Sequence, residues 1–173
     1  MSRTVKGSQA PRDVFHVDWP LFGELSRALA LKVSREFEPD LVVGIATAGV
    51  VPAAVVAAML DRPFRSMIVS RRYQSQHVRE TPAVFGEAPP EVRGARVLIV
   101  DETCDSGDTM RLAVAAVLNA GARDVRTAVG IRTGAYEVDF AALETPSHVV
   151  LPWDREVLVD GELVPNPKYA DDE

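Results

Sequence analysis

Asp101 and Glu102 stand side by side at the end of an apolar run, Val97-Leu-Ile-Val100, and Asp105-Ser-Gly-Asp-Thr109 follows them after two residues. Adjacent carboxylates at the end of a buried strand repel each other, so a cation, a set of ligand hydroxyls or open solvent must offset the cost. A short Ser/Gly/Thr loop that runs into a helix presents unpaired backbone N–H groups at the positive end of the helix dipole, which makes an anion site. A carboxylate pair beside an anion site describes one ligand with hydroxyls, a phosphate and Mg2+, and a phosphorylated sugar fits. Solvated acids followed by an ordinary helix cap would account for an isolated pair. They leave unexplained the fixed order of apolar strand, two acids, third acid and Ser-Gly-x-Thr.

The elements that must position these residues can be read around them. Asp18-Trp19-Pro20 has the form of a helix start, and Phe22, Leu25, Leu29 and Val33 recur at helical spacing as far as Glu36. Leu41–Ile45 is predicted as a buried strand, Val50–Leu60 as a helix with Pro52 in its first turn, and Arg65–Ser70 as a strand. Residues 74–94 hold three Pro, two Gly and mixed charge, and predict a long loop or a weak hairpin. Arg96–Val100 is the strand of the acidic motif. A helix over Gly107–Asn119 should turn Met110, Val114, Ala115, Val117 and Leu118 inward and end at Gly121. Strands are expected over Val125–Ile131 and, as the last one, His148–Leu151. Alternation of strand and helix with near-continuous apolar strands predicts an α/β fold, a mostly parallel sheet flanked by helices, whose ligands bind beyond the carboxyl ends of the strands.

Composition narrows the field. The 173 residues suit one domain, and 47% apolar with 25% charged residues is ordinary for a globular protein. A net charge of -6 argues against nucleic acid as a partner. The longest apolar run, Ala48–Leu60, is too short for a membrane span, the first 13 residues carry no signal-peptide core, and a single cysteine, Cys104, allows no internal disulfide. These features predict a cytoplasmic chain. A two-component receiver domain also has adjacent acids after a strand, but it needs more chain after Asp101 than is present. A P-loop is excluded because no Gly-Lys-Ser/Thr occurs.

VLIVDETCDSGDT over Val97–Thr109 resembles the signature of the type I phosphoribosyltransferases. Gly44-Ile-Ala-Thr-Ala-Gly-Val-Val-Pro-Ala53 is similar to that family's pyrophosphate loop and following helix. Val17-Asp-Trp and Leu151-Pro-Trp-Asp154 resemble the bacterial xanthine-guanine and archaeal hypoxanthine branch. The resemblance implies the type I phosphoribosyltransferase fold with a small hood from the C-terminal segment. With polar composition marking a mobile tail (1–13) and acidic residues a C-terminal tail (166–173), it implies a single domain (14–165) with a lid loop at 74–94 and a hood at about 132–160. It implies transfer of the phosphoribosyl group of phosphoribosyl pyrophosphate to a nucleobase, most readily a 6-oxopurine, with Mg2+ and release of pyrophosphate, in a homodimer or homotetramer. Another base, orotate or another pyrimidine, or a non-catalytic sensor of phosphoribosyl pyrophosphate or a nucleotide, are the alternatives.

The same resemblance distributes roles. Asp101 and Glu102 would meet the ribose hydroxyls and waters of Mg2+. Asp105 would handle the base proton as general acid/base. Ser106, Gly107, Asp108 and Thr109, with Asp105, would form the 5-phosphate loop. Ala46, Thr47, Ala48 and Gly49 would form the pyrophosphate loop, with a cis peptide expected at Ala46–Thr47. Tyr73 and Arg79, with Arg71 and Arg72 as neighbouring candidates, would belong to the lid. Arg132, His148 and Val149 would bind the base, while Trp153 is read as hood core. Four positions depart from the branch: Thr47 replaces an Arg, Asp108 puts a carboxylate in a phosphate cradle, Arg132 replaces a Lys, and His148 replaces a larger aromatic residue.

Overall fold

The computed structural model describes residues 13–73, 77–85 and 87–169, and between 70 and 82 only the backbone. In chain order the elements are β1 (Val14–His16), α1 (Trp19–Glu36), β2 (Leu41–Ala46), α2 (Val50–Leu60), β3 (Phe64–Tyr73), β4 (His77–Phe85), β5 (Arg96–Cys104), α3 (Asp108–Asn119), β6 (Asp124–Arg132), β7 (Phe140–Glu144), β8 (His148–Val150), β9 (Glu156–Val159) and β10 (Glu162–Pro165). They fall into two compact units. One is Trp19–Thr145, and the other joins the chain up to Asp18 with Pro146 onward.

The larger unit is built on a six-stranded sheet of order β4-β3-β2-β5-β6-β7, parallel throughout except for β4, which runs antiparallel to β3. Strand residues alternate between two apolar layers, as the two-residue period of a strand requires. Val43, Ile45, Val97, Ile99 and Val129 pack with Met110, Ala113 and Val117 of α3. Val42, Leu98, Val100 and Ala128 pack with Leu29, Ala30 and Val33 of α1 and with Ala53, Val56 and Ala57 of α2. Both faces are therefore covered, which is why these strands read as unbroken apolar runs. Each fully buried Val, Leu or Ile contributes about 1.5–3 kcal/mol. No helix among the described residues is long and apolar enough to cross a membrane.

Several expectations change in detail. The 74–94 stretch, expected as a long loop or weak hairpin, supplies β4, whose pairing with β3 shifts register between Ser70 and Arg72. In α3, Ala115 and Leu118 face solvent rather than the core, and the buried positions are Met110, Ala113 and Val117. One continuous stripe at i, i+3 and i+7 suffices to cover the sheet there. Gly121 follows the helix with φ 97°, as a C′ glycine should. Strand β7 was not read from the sequence. It pairs in parallel with β6, so residues 132–145, assigned to the hood, belong to the larger unit.

In the smaller unit β1 pairs in parallel with β8, and β9 forms an antiparallel hairpin with β10, two strands beyond the one expected to be last. The acidic tail expected from 166 is ordered through Tyr169. That ring is buried, its hydroxyl donates to Asp154 Oδ2 at 3.0 Å, and Asn166 Nδ2 donates to the Asp154 carbonyl at 2.7 Å. Residues 1–12 of the expected mobile tail and the final four residues lie outside the described residues. Val14 opens β1.

Candidate active site

Strand β5 is the second of the two central strands and is hydrogen-bonded in parallel to β2 on one side and β6 on the other. It runs beyond its apolar core to Cys104 and carries both acids, with Asp101 paired to Val129 of β6. Asp101 is 8% exposed, Glu102 is half-buried and Asp105 is exposed on the loop that follows. The three acids thus sit in three different environments. Burial, reinforced by hydrogen bonding and charge from Glu102, holds the Asp101 carboxyl well above the usual carboxylate range. Its Oδ1 accepts the Glu102 backbone N–H at 2.9 Å. Cys104 lies buried between the acids, and burial with the charges of Asp101 and Asp105 pushes its thiol up to about 11. It is an inert neighbour, with no thiolate near neutral pH.

Two loops close on this strand end. Ala46 ends β2 and Thr47, Ala48 and Gly49 follow it, with the Ala46–Thr47 peptide bond cis. Thr47 is exposed, whereas Gly49 is buried so tightly against Asp101 that a β-carbon there would overlap the carboxylate. The segment after β6 arrives from the other side. Thr133 N–H and Gly134 N–H both donate to the Cys104 carbonyl, at 2.8 and 3.3 Å, and a β-carbon on Gly134 would overlap Asp105. This second loop is held by Asp139, whose Oδ2 accepts from both Thr127 N–H and Thr127 Oγ1 at 2.8 Å.

Gly107 adopts φ 79° and turns the chain into α3, whose first intrahelical bond runs from Arg111 N–H to the Gly107 carbonyl at 2.8 Å. The Tyr136 ring fills the space that a side chain at 107 would need, and the Arg111 guanidinium lies 4.6 Å from that ring's centre. Ser106 is exposed, and Thr109 is half-buried within the first turn of the helix. Asp108 points a carboxylate at Arg111, Oδ1 to NH1 3.2 Å, while the same NH1 donates to the Ser106 carbonyl at 3.0 Å. The negative charge that looked out of place in an anion cradle therefore has a cation paired with it.

Arg132, at the end of β6, stands in register with Cys104 on β5 and with Glu144 on β7. Its NH2 donates to Glu144 Oε2 at 2.6 Å and its NH1 to the Gly134 carbonyl at 3.4 Å. The Glu144 hydrogen bond raises its already high pKa further. Glu144, Tyr136 and Asp139 were not singled out from the sequence, because strand register and loop closure bring them here; Arg111 was also missed, although its i+3 spacing from Asp108 in the first turn of α3 is a local signal. In the smaller unit, His148 is exposed at the start of β8, donates its backbone N–H to the Asp13 carbonyl at 2.8 Å, and meets the Tyr169 ring edge-on at 5.4 Å between centres. Val149 is half-buried, paired with Phe15. Tyr73 ends β3 and Arg79 lies in β4; their side chains, with those of Arg71 and Arg72, lie outside the described residues.

A doubly covered, mostly parallel sheet with acids at the end of a central strand and a glycine-turned helix start beside them belongs to a chain with recognisable relatives. Residues 17–157 match the phosphoribosyl transferase domain, and the chain belongs to that family. It is 30% identical over 161 residues to a xanthine-guanine phosphoribosyltransferase of Nitratidesulfovibrio vulgaris, covering 92% of this chain and 96% of that one. It is 31% identical over 144 residues to the transcriptional regulator GfcR of Methanocella arvoryzae, 74% of this chain and 68% of that one. A purine phosphoribosyltransferase from Pyrococcus horikoshii Ot3 superposes with a TM-score of 0.72 at 25% identity, covering 86% of this chain and 99% of that one. The chain is a pentosyltransferase of the purine phosphoribosyltransferase kind.

Proposed function

We propose that the protein transfers the 5-phosphoribosyl group of phosphoribosyl pyrophosphate to a 6-oxopurine (hypoxanthine, guanine or xanthine) and releases pyrophosphate, in nucleotide salvage. The observation that carries this reading is the grading of three acids along five residues of chain: Asp101 buried, Glu102 half-buried, Asp105 exposed beside the start of α3. Acids in such different surroundings serve different tasks. In this reaction the bond from ribose C1 to the pyrophosphate oxygen breaks, a bond from C1 to a ring nitrogen of the base forms, and one base proton must leave. Asp101 and Glu102 hold the ribose hydroxyls and fix the sugar for an in-line displacement. Asp105 accepts the base proton. Ser106, Gly107, Asp108 and Thr109 bind the 5-phosphate through N–H groups and hydroxyls, with the helix dipole behind them. Ala46–Gly49 and the lid residues Tyr73 and Arg79 are assigned to pyrophosphate, and Arg132, His148 and Val149 keep the base-binding roles that the resemblance implies.

The donor chemistry fits Mg2+ delivered with the diphosphate. Two carboxylates sit together on β5, and this ion characteristically takes one or two carboxylates, substrate phosphates and water. Among the described residues no three His, Cys, Asp or Glu side chains converge on a resident metal site. Mg2+ held by Asp101 and Glu102 would neutralise charge on the leaving pyrophosphate. A homodimer or homotetramer is the expected assembly, measurable by light scattering.

Turnover with hypoxanthine, guanine, xanthine, adenine, orotate and uracil, followed by pyrophosphate release, tests the reading. Activity on an oxopurine is expected, and inactivity on all three would overturn it. Orotate or uracil turnover alone would transfer the chemistry to a pyrimidine. A second reading, a nucleotide-sensing regulator, is favoured by the similarity to GfcR. It predicts nucleotide binding without pyrophosphate release on any base.

A further inference from the structure

We propose that Glu144 is a positioning residue for base selection. By gripping the Arg132 guanidinium it aims that group's remaining donors at a ring carbonyl of the incoming base, and so favours oxo over amino bases. The proposal rests on the reading above in two respects, that a nucleobase docks beside Asp105 and that Arg132 meets it; the role of Glu144 is what is added.

Register brings the parts together. Cys104, Arg132 and Glu144 are successive partners across β5, β6 and β7, and Asp105 follows Cys104 directly. The guanidinium is anchored on two sides, by Glu144 Oε2 at 2.6 Å and by the carbonyl of Gly134 at 3.4 Å. Gly134 is itself packed against Asp105, so the proton-handling carboxylate and the guanidinium share one support. Exposed ion pairs contribute little because both long side chains lose freedom to form them. Here the Arg132 side chain is 24% exposed while Glu144 is 62% exposed, so the acid acts as a clamp on a group that is already partly buried.

Donor counting gives the selectivity. A guanidinium offers five N–H donors and no acceptor. Two are spent on Glu144 and Gly134, and three remain. Such a group complements a carbonyl oxygen and sets donor against donor when it meets an exocyclic amino group, a mismatch that leaves desolvated polar groups unpaired. Without Glu144 the same guanidinium would have to be ordered at the moment the base binds, at the expense of affinity.

The full chain carrying Glu144→Gln, Glu144→Asp, Arg132→Ala and the double change Arg132→Ala/Glu144→Gln separates this role from an ordinary strand-end ion pair. For Glu144→Gln we expect the hypoxanthine KM to rise about five- to tenfold, with the KM for phosphoribosyl pyrophosphate within about twofold, and Glu144→Asp to recover part of the loss. In the Arg132→Ala background the second change should add nothing, because Glu144 acts through Arg132. A hypoxanthine KM within twofold of the parent in Glu144→Gln, while Arg132→Ala raises it, would overturn the proposal and leave the base site standing. An equal effect of Glu144→Gln in both backgrounds would also overturn it. If Arg132→Ala leaves the KM unchanged in an active enzyme, the proposal falls while the transferase reading survives. Calorimetry with inosine and adenosine 5′-monophosphates reads the same contact without turnover. A preference for inosine monophosphate that Glu144→Gln abolishes supports the role, and an unaltered preference, or no binding of either nucleotide by the parent, overturns it.

Discussion

Gly134 lies against Asp105 so closely that a single methyl group at position 134 would overlap the carboxylate and the backbone carbonyl beneath it. The residue read as the proton acceptor is therefore set in place by a glycine on a neighbouring loop. Gly134→Ala should displace Asp105 by a fraction of an ångström to an ångström. Misplacement on that scale costs about a hundredfold in rate. We expect kcat to fall by that order, with the affinity for phosphoribosyl pyrophosphate changed far less, as steady-state kinetics beside calorimetry would reveal. Equal losses in both would mean that the loop serves the sugar rather than the proton.

Asp105 itself can be tested without altering its shape. Asp105→Asn keeps the volume and removes the basic carboxylate, and it should lower kcat for base transfer by about two to four decades, the usual contribution of a positioned acid or base. Near-normal turnover would remove Asp105 from that role.

Asp101 offers a prediction in which stability and function move in opposite directions. Burial and its neighbour Glu102 hold the carboxyl above its ordinary range. Between that range and the raised value, the folded chain keeps a proton that the unfolded chain has released. Stability from this group therefore falls as pH rises through the window. Asn cannot ionise, so Asp101→Asn should raise the melting temperature at neutral pH, by about 2–4 °C for each kcal/mol recovered. The same change combined with Glu102→Gln should abolish Mg2+-dependent binding of phosphoribosyl pyrophosphate in calorimetry. A lowered melting temperature, or unchanged binding by the double variant, would contradict the assignment.

The Asp108–Arg111 pair makes a prediction about salt. The two groups are 3.2 Å apart and about half exposed. Asp108→Asn removes a negative charge from the first turn of α3 and frees the guanidinium, so affinity for phosphoribosyl pyrophosphate should rise about two- to threefold at low ionic strength. The gain should fade toward 0.5 M salt, as surface charge effects do. A drop in affinity at low salt would indicate instead that the carboxylate shapes the loop.

The route from residues to architecture was short where patterns are local. The stripe Phe22, Leu25, Leu29 and Val33 delivered α1, and the apolar runs at Leu41 and Val97 delivered the two central strands. The cis bond at Ala46–Thr47 came from the motif around it. Strand β7 escaped notice because Phe140-Ala-Ala-Leu-Glu144 is short and lacks β-branched residues; its strand character comes from pairing with β6. Leu118 was placed inward on hydrophobicity alone, yet α3 needs only one narrow face, and Leu118 is 49% exposed. At the site, the acids and the glycine-turned loop were legible because they lie within one stretch of chain. The partners of Arg132, the ring over Gly107 and the clamp by Asp139 depend on how β7 pairs with β6 and on how the loop between them folds back, which no local pattern encodes.

The placement of the acids and of the Arg132–Glu144 pair on different strands has a consequence for how such a protein can diversify. Asp101 and Glu102 belong to β5, locked between two parallel neighbours, whereas Glu144 belongs to β7, the outermost strand on its side. On the roles proposed for these residues, changes at the sheet's margin would retune which base is accepted while the interior strand kept its grip on the sugar. One scaffold would thus exchange its second substrate without relearning how to hold the first.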